Sequence, residues 1–193
     1  MNHRSLLLNT AVIVSLTGGK MADRTRLLYN GESFEYQLMD VVRMEFPDAV
    51  ILHNLSLYSA YLQNDTQIDV VVVDSSGIFV LEAKNWKYWI QGTYDDYQWT
   101  GKSRDQKVMT VFNPFHQNFI HVRTLRNALR VIGVEPPLFH NFVVLPDGTE
   151  IRSRCAEVVN LSMLTRKMKS AGKGNSVDVI AMKKAIKSVV NEV

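Results

Sequence analysis

Between Glu32 and Phe46, apolar residues recur at Phe34, Leu38, Val41, Val42 and Phe46, and Pro47-Asp48 follows. That spacing is one face of an amphipathic helix, closed by the proline. The period then shortens. Ala49–Leu52 reads as a short strand, and Gln67–Val73 and Ile78–Ala83 are nearly continuous apolar runs separated by Asp74-Ser75-Ser76-Gly77. Runs of that length around a turn predict a hairpin of two buried strands. Trp86–Trp99, aromatic and interrupted by Gly92 and Asp95-Asp96, predicts a third strand and a partner. Asn113-Pro114 opens a helix that should run to about Ile132, with Asn as cap, Pro in the first position and Gly133 as the stop. Asn141–Leu145 and Val158–Leu161 read as strands. Beyond the Gly172–Ser176 linker, Val179, Met182, Ile186 and Val190 mark one face of a last helix, Val177–Val190. The order predicts an α/β fold, a mixed central β-sheet flanked by α-helices.

Three charges interrupt the buried strands: Asp69, Glu82 and Lys84. Burying a charge is costly unless it is paired or holds a metal. Glu82 and Lys84, two apart, project from one strand face, and the hairpin brings Asp69 to the same end of the ladder. Two carboxylates that close repel unless a cation lies between them, and hard oxygen ligands suit Mg²⁺ or Mn²⁺. A lysine beside them can orient a water or hold a phosphate oxygen. The same spacing equally allows a plain Glu82–Lys84 ion pair at a strand end.

With 193 residues, 46% hydrophobic and 21% charged, the chain has the make-up of a globular protein with one full core. We expect residues 1–28 to be an N-terminal extension and 29–193 a single domain. The run Leu6–Leu16 follows Asn2-His3-Arg4 but is broken by Asn9, Thr10 and Ser15, and no small-residue cleavage pattern comes after it. It is short of the ~20 apolar residues that span a bilayer, so a peripheral strand or helix and a cytoplasmic location are expected ahead of an exported form or a weak membrane anchor. The single cysteine, Cys155, excludes an internal disulfide and a zinc finger, suits a reducing compartment, and lacks a catalytic signature.

A net charge of +3 allows nucleic-acid binding without demanding it. Arg123, Arg126 and Arg130 form one helical stripe, and Lys102 and Arg104, with Lys107, a second basic cluster. Both could neutralise phosphates or simply face solvent. His116 and His121 lack the spacing of a metal pair and are expected at the surface. Trp86, Trp89, Tyr94, Tyr97 and Trp99 could stack bases, though alternation favours core and cross-strand pairs. Gly18-Gly19-Lys20-Met21 lacks the first glycine and final Ser or Thr of a phosphate loop, and there is no Gly-x-Ser-x-Gly elbow.

Asn30-Gly31-Glu32, Gln67-Ile68-Asp69, Gly77-Ile78-Phe79-Val80-Leu81-Glu82-Ala83-Lys84-Asn85, Trp99, and Asn113-Pro114 with Gln117 follow in order. Together they resemble the nuclease-related domain (NERD) family over roughly residues 30–130. That family is similar to the PD-(D/E)xK, restriction-endonuclease-like nucleases. The resemblance implies a restriction-endonuclease-like core with Asp69, Glu82 and Lys84 as its catalytic residues. It implies the Ala83 carbonyl as a further ligand for Mg²⁺ or Mn²⁺, and Glu32 or Glu35 and Gln117 as supporting residues. Glu35, nearer the apolar helix face, is preferred over Glu32. Ile68 stands where the superfamily's name motif has Pro, as is common in this family. The expected activity is metal-dependent hydrolysis of nucleic acid, DNA before RNA. The alternative is a non-catalytic nucleic-acid-binding or interaction module that keeps the fold. A homodimer is left open, and a membrane partner is not expected.

Overall fold

The computed structural model describes residues 31–102, 107–172 and 176–192. Helix α1 (Gly31–Glu45) leads into three antiparallel strands, β1 (Val50–Ser59), β2 (Asn64–Asp74) and β3 (Gly77–Ala83). The predicted hairpin is β2–β3, with register from Asp74↔Gly77 to Val70↔Leu81. Asp74 Oδ1 closes its turn, accepting from Ser76 N at 2.9 Å and Ser76 Oγ at 2.6 Å. The chain next forms the short strands β4 (Trp89–Gln91), β5 (Gln98–Lys102) and β6 (Val108–Phe112), then the long helix α2 (Pro114–Val131). β7 (Phe139–Leu145) returns parallel to β3. After β8 (Glu150–Arg152), β9 (Val158–Asn160) pairs parallel with β7. α3 (Leu161–Ala171), α4 (Val179–Lys187) and β10 (Asn191–Glu192), paired with β1, complete the described chain.

The central mixed sheet has the order β10-β1-β2-β3-β7-β9, and its two faces are covered by different helices. Val70, Val72, Phe79 and Leu81 pack with Phe34 and Leu38 of α1 and Leu164 and Met168 of α3. Val71, Val73, Ile78 and Val80 pack with Leu125 and Leu129 of α2 and Met182 and Ile186 of α4. A strand covered on both faces has no polar side to show, hence the unbroken apolar run of β3. Each fully buried Leu or Ile here contributes roughly 1.5–3 kcal/mol.

A second mixed sheet, β6-β5-β4-β8, was not foreseen beyond β4 and β5. Its Ile90 and Trp99 pack on Val143 and Leu145 of β7 and Val158 of β9. Gly101 and Gly92 admit the rings of Trp86 and Trp99: a Cβ there would come within 1.8 Å and 2.3 Å of ring carbons. Glycine in a strand interior marks such close approaches.

Other differences have local causes. β1 continues to Ser59, well past Leu52, because its alternation slips: Leu52 and Leu55 both join the α2-side core, and between them Asn54 has φ 54°. Leu161 begins α3 instead of ending a strand. The last helix is shorter than expected, starting where Asp178 caps Ala181 N at 2.9 Å. The stop of α2 is as predicted: Gly133 has φ 78°, its N–H donates to Arg130 O, and Val134 N–H donates to Leu129 O. The expected N-terminal extension with its Leu6–Leu16 run, Arg104, and residues 173–175 of the linker lie outside the described residues. Among the described residues no helix is long and apolar enough to cross a membrane.

Candidate active site

The site lies where the β2–β3 ladder ends. Continued one residue past Val70↔Leu81, the register sets Asp69 opposite Glu82. Here a side chain replaces the backbone acceptor: Ala83 N–H donates to Asp69 Oδ2 at 2.8 Å. Ile68 and Val71 both pack in the α2-side core, so β2 loses its strict alternation around Asp69, beside Asn54 of β1. On the other edge of β3, Lys84 N–H donates to Val144 O at 2.9 Å, and Trp86 N–H then donates to Lys84 O at 2.8 Å. The backbone of Lys84 is thereby fixed as the chain turns towards the second sheet.

α2 supplies the second wall. It starts at Pro114 because the buried Asn113 caps it, Oδ1 accepting from Phe115 N at 3.0 Å and His116 N at 3.3 Å. The amide of the same side chain donates to Thr93 O, Tyr94 O and Asp96 O, which binds the β4–β5 loop to the helix start. One turn on, Asn118 Nδ2 donates to Val80 O at 2.8 Å, Phe142 O at 3.0 Å and Asn141 Oδ1 at 2.7 Å, pinning α2 across β3 and β7. Buried amide groups bonded in this way fix orientation as well as adding stability.

So placed, α2 meets the charged end of β3. Lys84 Nζ lies 2.6 Å from Glu82 Oε1 and donates to Gln117 Oε1 at 3.1 Å. His121 Nδ1 lies 3.3 Å from Glu82 Oε2. These last two atoms are close but not aligned for a hydrogen bond, and both are buried with no hydrogen-bond partner. Glu82 is 1% exposed and His121 2%.

The electrostatics are those of a buried carboxyl with a second carboxylate close by. Burial, first, and then the charge of Glu82 push the Asp69 carboxyl up to about 7; Glu35 adds to the rise, against the Ala83 N–H and Lys84. A cation beside Asp69 and Glu82 would relieve both the repulsion and the unpartnered Glu82 oxygen. Among the described residues no three His, Cys, Asp or Glu side chains are grouped to hold a metal ion. Two carboxylates and the Ala83 carbonyl nevertheless fit a cation such as Mg²⁺, which keeps several waters and is held through one or two carboxylates together with substrate phosphates.

The structure thus brings Asp69, Glu82, Ala83, Lys84 and Gln117 together, with Glu35 near enough to act on Asp69. The described basic residues Arg123, Arg126, Arg130 and Lys102 have other partners. Arg126 is nine residues after Gln117, about half a turn round the helix, and stacks 5.3 Å from the Phe139 ring. Arg123 lies over Tyr61 at 5.4 Å, and Arg130 pairs with Glu135 at 2.8 Å. Lys102 lies over Tyr88 at 5.6 Å. Trp99 is core, Trp89 stacks with Arg152 at 4.7 Å, and Tyr97 packs on Phe112. Cys155 is buried, and burial pushes its thiol up, as an inert thiol requires.

One expectation is corrected. His121 is not a surface residue, because α2 turns it inward onto Glu82; His116 is half-buried. Sequence reasoning also missed Asn118. The available signal for His121 was its position four residues after Gln117, on the same helix face.

Comparison with known proteins agrees with this fold. The profile of the nuclease-related domain matches residues 30–146, more than half of the chain. An uncharacterized protein of Bacillus anthracis is 39% identical over 75 residues, which are 39% of this chain and 34% of the relative. The match thus spans about a third of that curated relative's length. No solved structure matches. The chain belongs to the nuclease-related domain family.

Proposed function

We propose that this chain is a divalent-cation-dependent nuclease that hydrolyses phosphodiester bonds of nucleic acid, DNA before RNA. The observation that carries the reading is the Asp69 carboxyl raised to about 7 beside a buried Glu82 whose second oxygen has no partner. Asp69, Glu82 and the Ala83 carbonyl would hold Mg²⁺ or Mn²⁺. When bound, the cation would lower the pKa of a water, polarise a phosphate oxygen and offset developing charge. Lys84, held by Glu82 and Gln117, orients the attacking water or holds a non-bridging phosphate oxygen. Gln117 acts on Lys84, fixing the direction of its ammonium. Glu35 supports the site through its charge on Asp69. Arg123, Arg126, Arg130 and Lys102 stand off this centre, so any phosphates they neutralise belong to flanking nucleotides.

The second reading, a binding module that keeps the fold without turnover, has one observation in its favour: Lys84 and Glu82 already form a close ion pair. Incubating the purified chain with single- and double-stranded DNA and RNA under Mg²⁺, Mn²⁺ or EDTA separates the two. Cleavage that needs metal and disappears in Asp69→Ala and Lys84→Ala supports the first. Cleavage surviving both substitutions refutes the site, and binding without cleavage under every metal supports the second.

A further inference from the structure

β3 and α2 lie against each other with matched spacings. Two residues along a strand advance about 6.6 Å, and four along a helix about 6 Å. Glu82 and Lys84 therefore find two partners on one helix face: Gln117 meets Lys84 at 3.1 Å, and His121 comes within 3.3 Å of Glu82. The helix is held in this position by Asn118, whose amide reaches Val80 O and Phe142 O. The contact between His121 and Glu82 joins two buried polar atoms with no other hydrogen-bond partner. Leaving both unbonded in the interior is costly, and a hydrogen bond between them removes that cost. Groups that hold a metal-ligating carboxylate are typically worth 10–100-fold in metal affinity or activity.

We propose that His121 is the positioning residue for Glu82, so that Gln117-x-x-x-His121 of α2 is the partner of Glu82-x-Lys84 at the end of β3. His121 donates through Nδ1 to Glu82 Oε2 and fixes the plane of the carboxylate. Oε1 then stays directed at Lys84, and Oε2, whose hydrogen bond to His121 uses one of its two lone pairs, keeps the other for the cation. This role rests on the metal-site reading given above.

The test is Mn²⁺ binding to the full chain, followed by electron paramagnetic resonance without nucleic acid, alongside cleavage kinetics. Wild type should bind Mn²⁺ in a manner lost in Asp69→Ala. His121→Phe, which removes the donor, should weaken Mn²⁺ about 10–100-fold and lower kcat with KM for nucleic acid unchanged. His121→Asn, whose amide nitrogen can take the place of Nδ1, should stay near wild type. If His121→Phe does not fold, as judged by circular dichroism, His121→Met serves as the variant without a donor. Wild-type Mn²⁺ affinity in the donor-free variant overturns the role of His121 alone. So does an equal loss in His121→Asn, which would mark a packing effect. Wild type that binds no Mn²⁺, or binds it without need of Asp69, overturns the metal-site reading and this inference with it.

Discussion

Replacing Asp69 by Asn should abolish cleavage and yet stabilise the metal-free protein at neutral and alkaline pH. The carboxyl titrates at about 7 in the fold against 3.8 as its ordinary value, raised first by burial and then by Glu82. The folded protein thus holds this proton more tightly than the unfolded chain. Stability is fully present below pH 4 and falls as pH rises through 7. At ~1.4 kcal/mol per pH unit, the loss reaches about 4 kcal/mol by pH 8, a ceiling because Asp69 is only partly buried. Asn does not titrate. It can still accept from Ala83 N–H through its carbonyl, and its amide can donate towards Glu82. Urea unfolding of both proteins in EDTA at pH 4, 6 and 8 measures the difference. Asp69→Asn should match wild type near pH 4 and exceed it increasingly towards pH 8. Added Mg²⁺ should narrow the gap by stabilising wild type alone, since only a binding-competent fold gains from the ligand. Parallel stability curves from pH 4 to 8 would refute the assignment of Asp69 as a carboxyl strained by its neighbours.

Lys84→Met should lower cleavage by at least about 100-fold while Mn²⁺ binding persists or tightens, because the substitution frees Glu82 Oε1 from its 2.6 Å ion pair; loss of Mn²⁺ binding would contradict this. Asn113→Ala removes the cap of α2 and three amide bonds to the Thr93–Asp96 loop. It should cost roughly 2–4 kcal/mol in urea unfolding, and a cost under about 1 kcal/mol would show that the loop is held by other contacts. Arg130→Ala should leave the salt dependence of nucleic-acid binding unchanged, since Arg130 is paired with Glu135. A fall in the log–log slope of about 0.9 would instead show a phosphate contact at that residue.

The parts of the site that the sequence revealed are those fixed by local rules. A hairpin with a two-residue turn admits one register, and period two then decides that Glu82 and Lys84 share a face and that Asp69 stands opposite Glu82. The cap at Asn113, the first-position Pro114 and the stop at Gly133 are local for the same reason. What escaped depends on partners distant in sequence or on breaks in a period. His121 was compared only with His116 on its own helix, whereas its partner stands 39 residues earlier on a strand. Nothing in a helical pattern says which way the arginine stripe turns until Asn118 has fixed α2 over β3. The short strands of the second sheet carry too few residues to show a period, and α3 offers only Leu164 and Met168 as fully buried positions. The slip in β1 and β2 around Asn54 and Asp69 is invisible to alternation because it is a departure from it. It is also where the candidate site lies. A regular ladder would satisfy Ala83 N–H with a carbonyl, and Asp69 would have no structural reason to stay beside Glu82. By ending the ladder one residue early, the fold uses the strand's own unpaired N–H to hold a carboxyl whose neighbours favour its neutral form. Under the proposed reading, a cation beside Asp69 and Glu82 would restore the charge there.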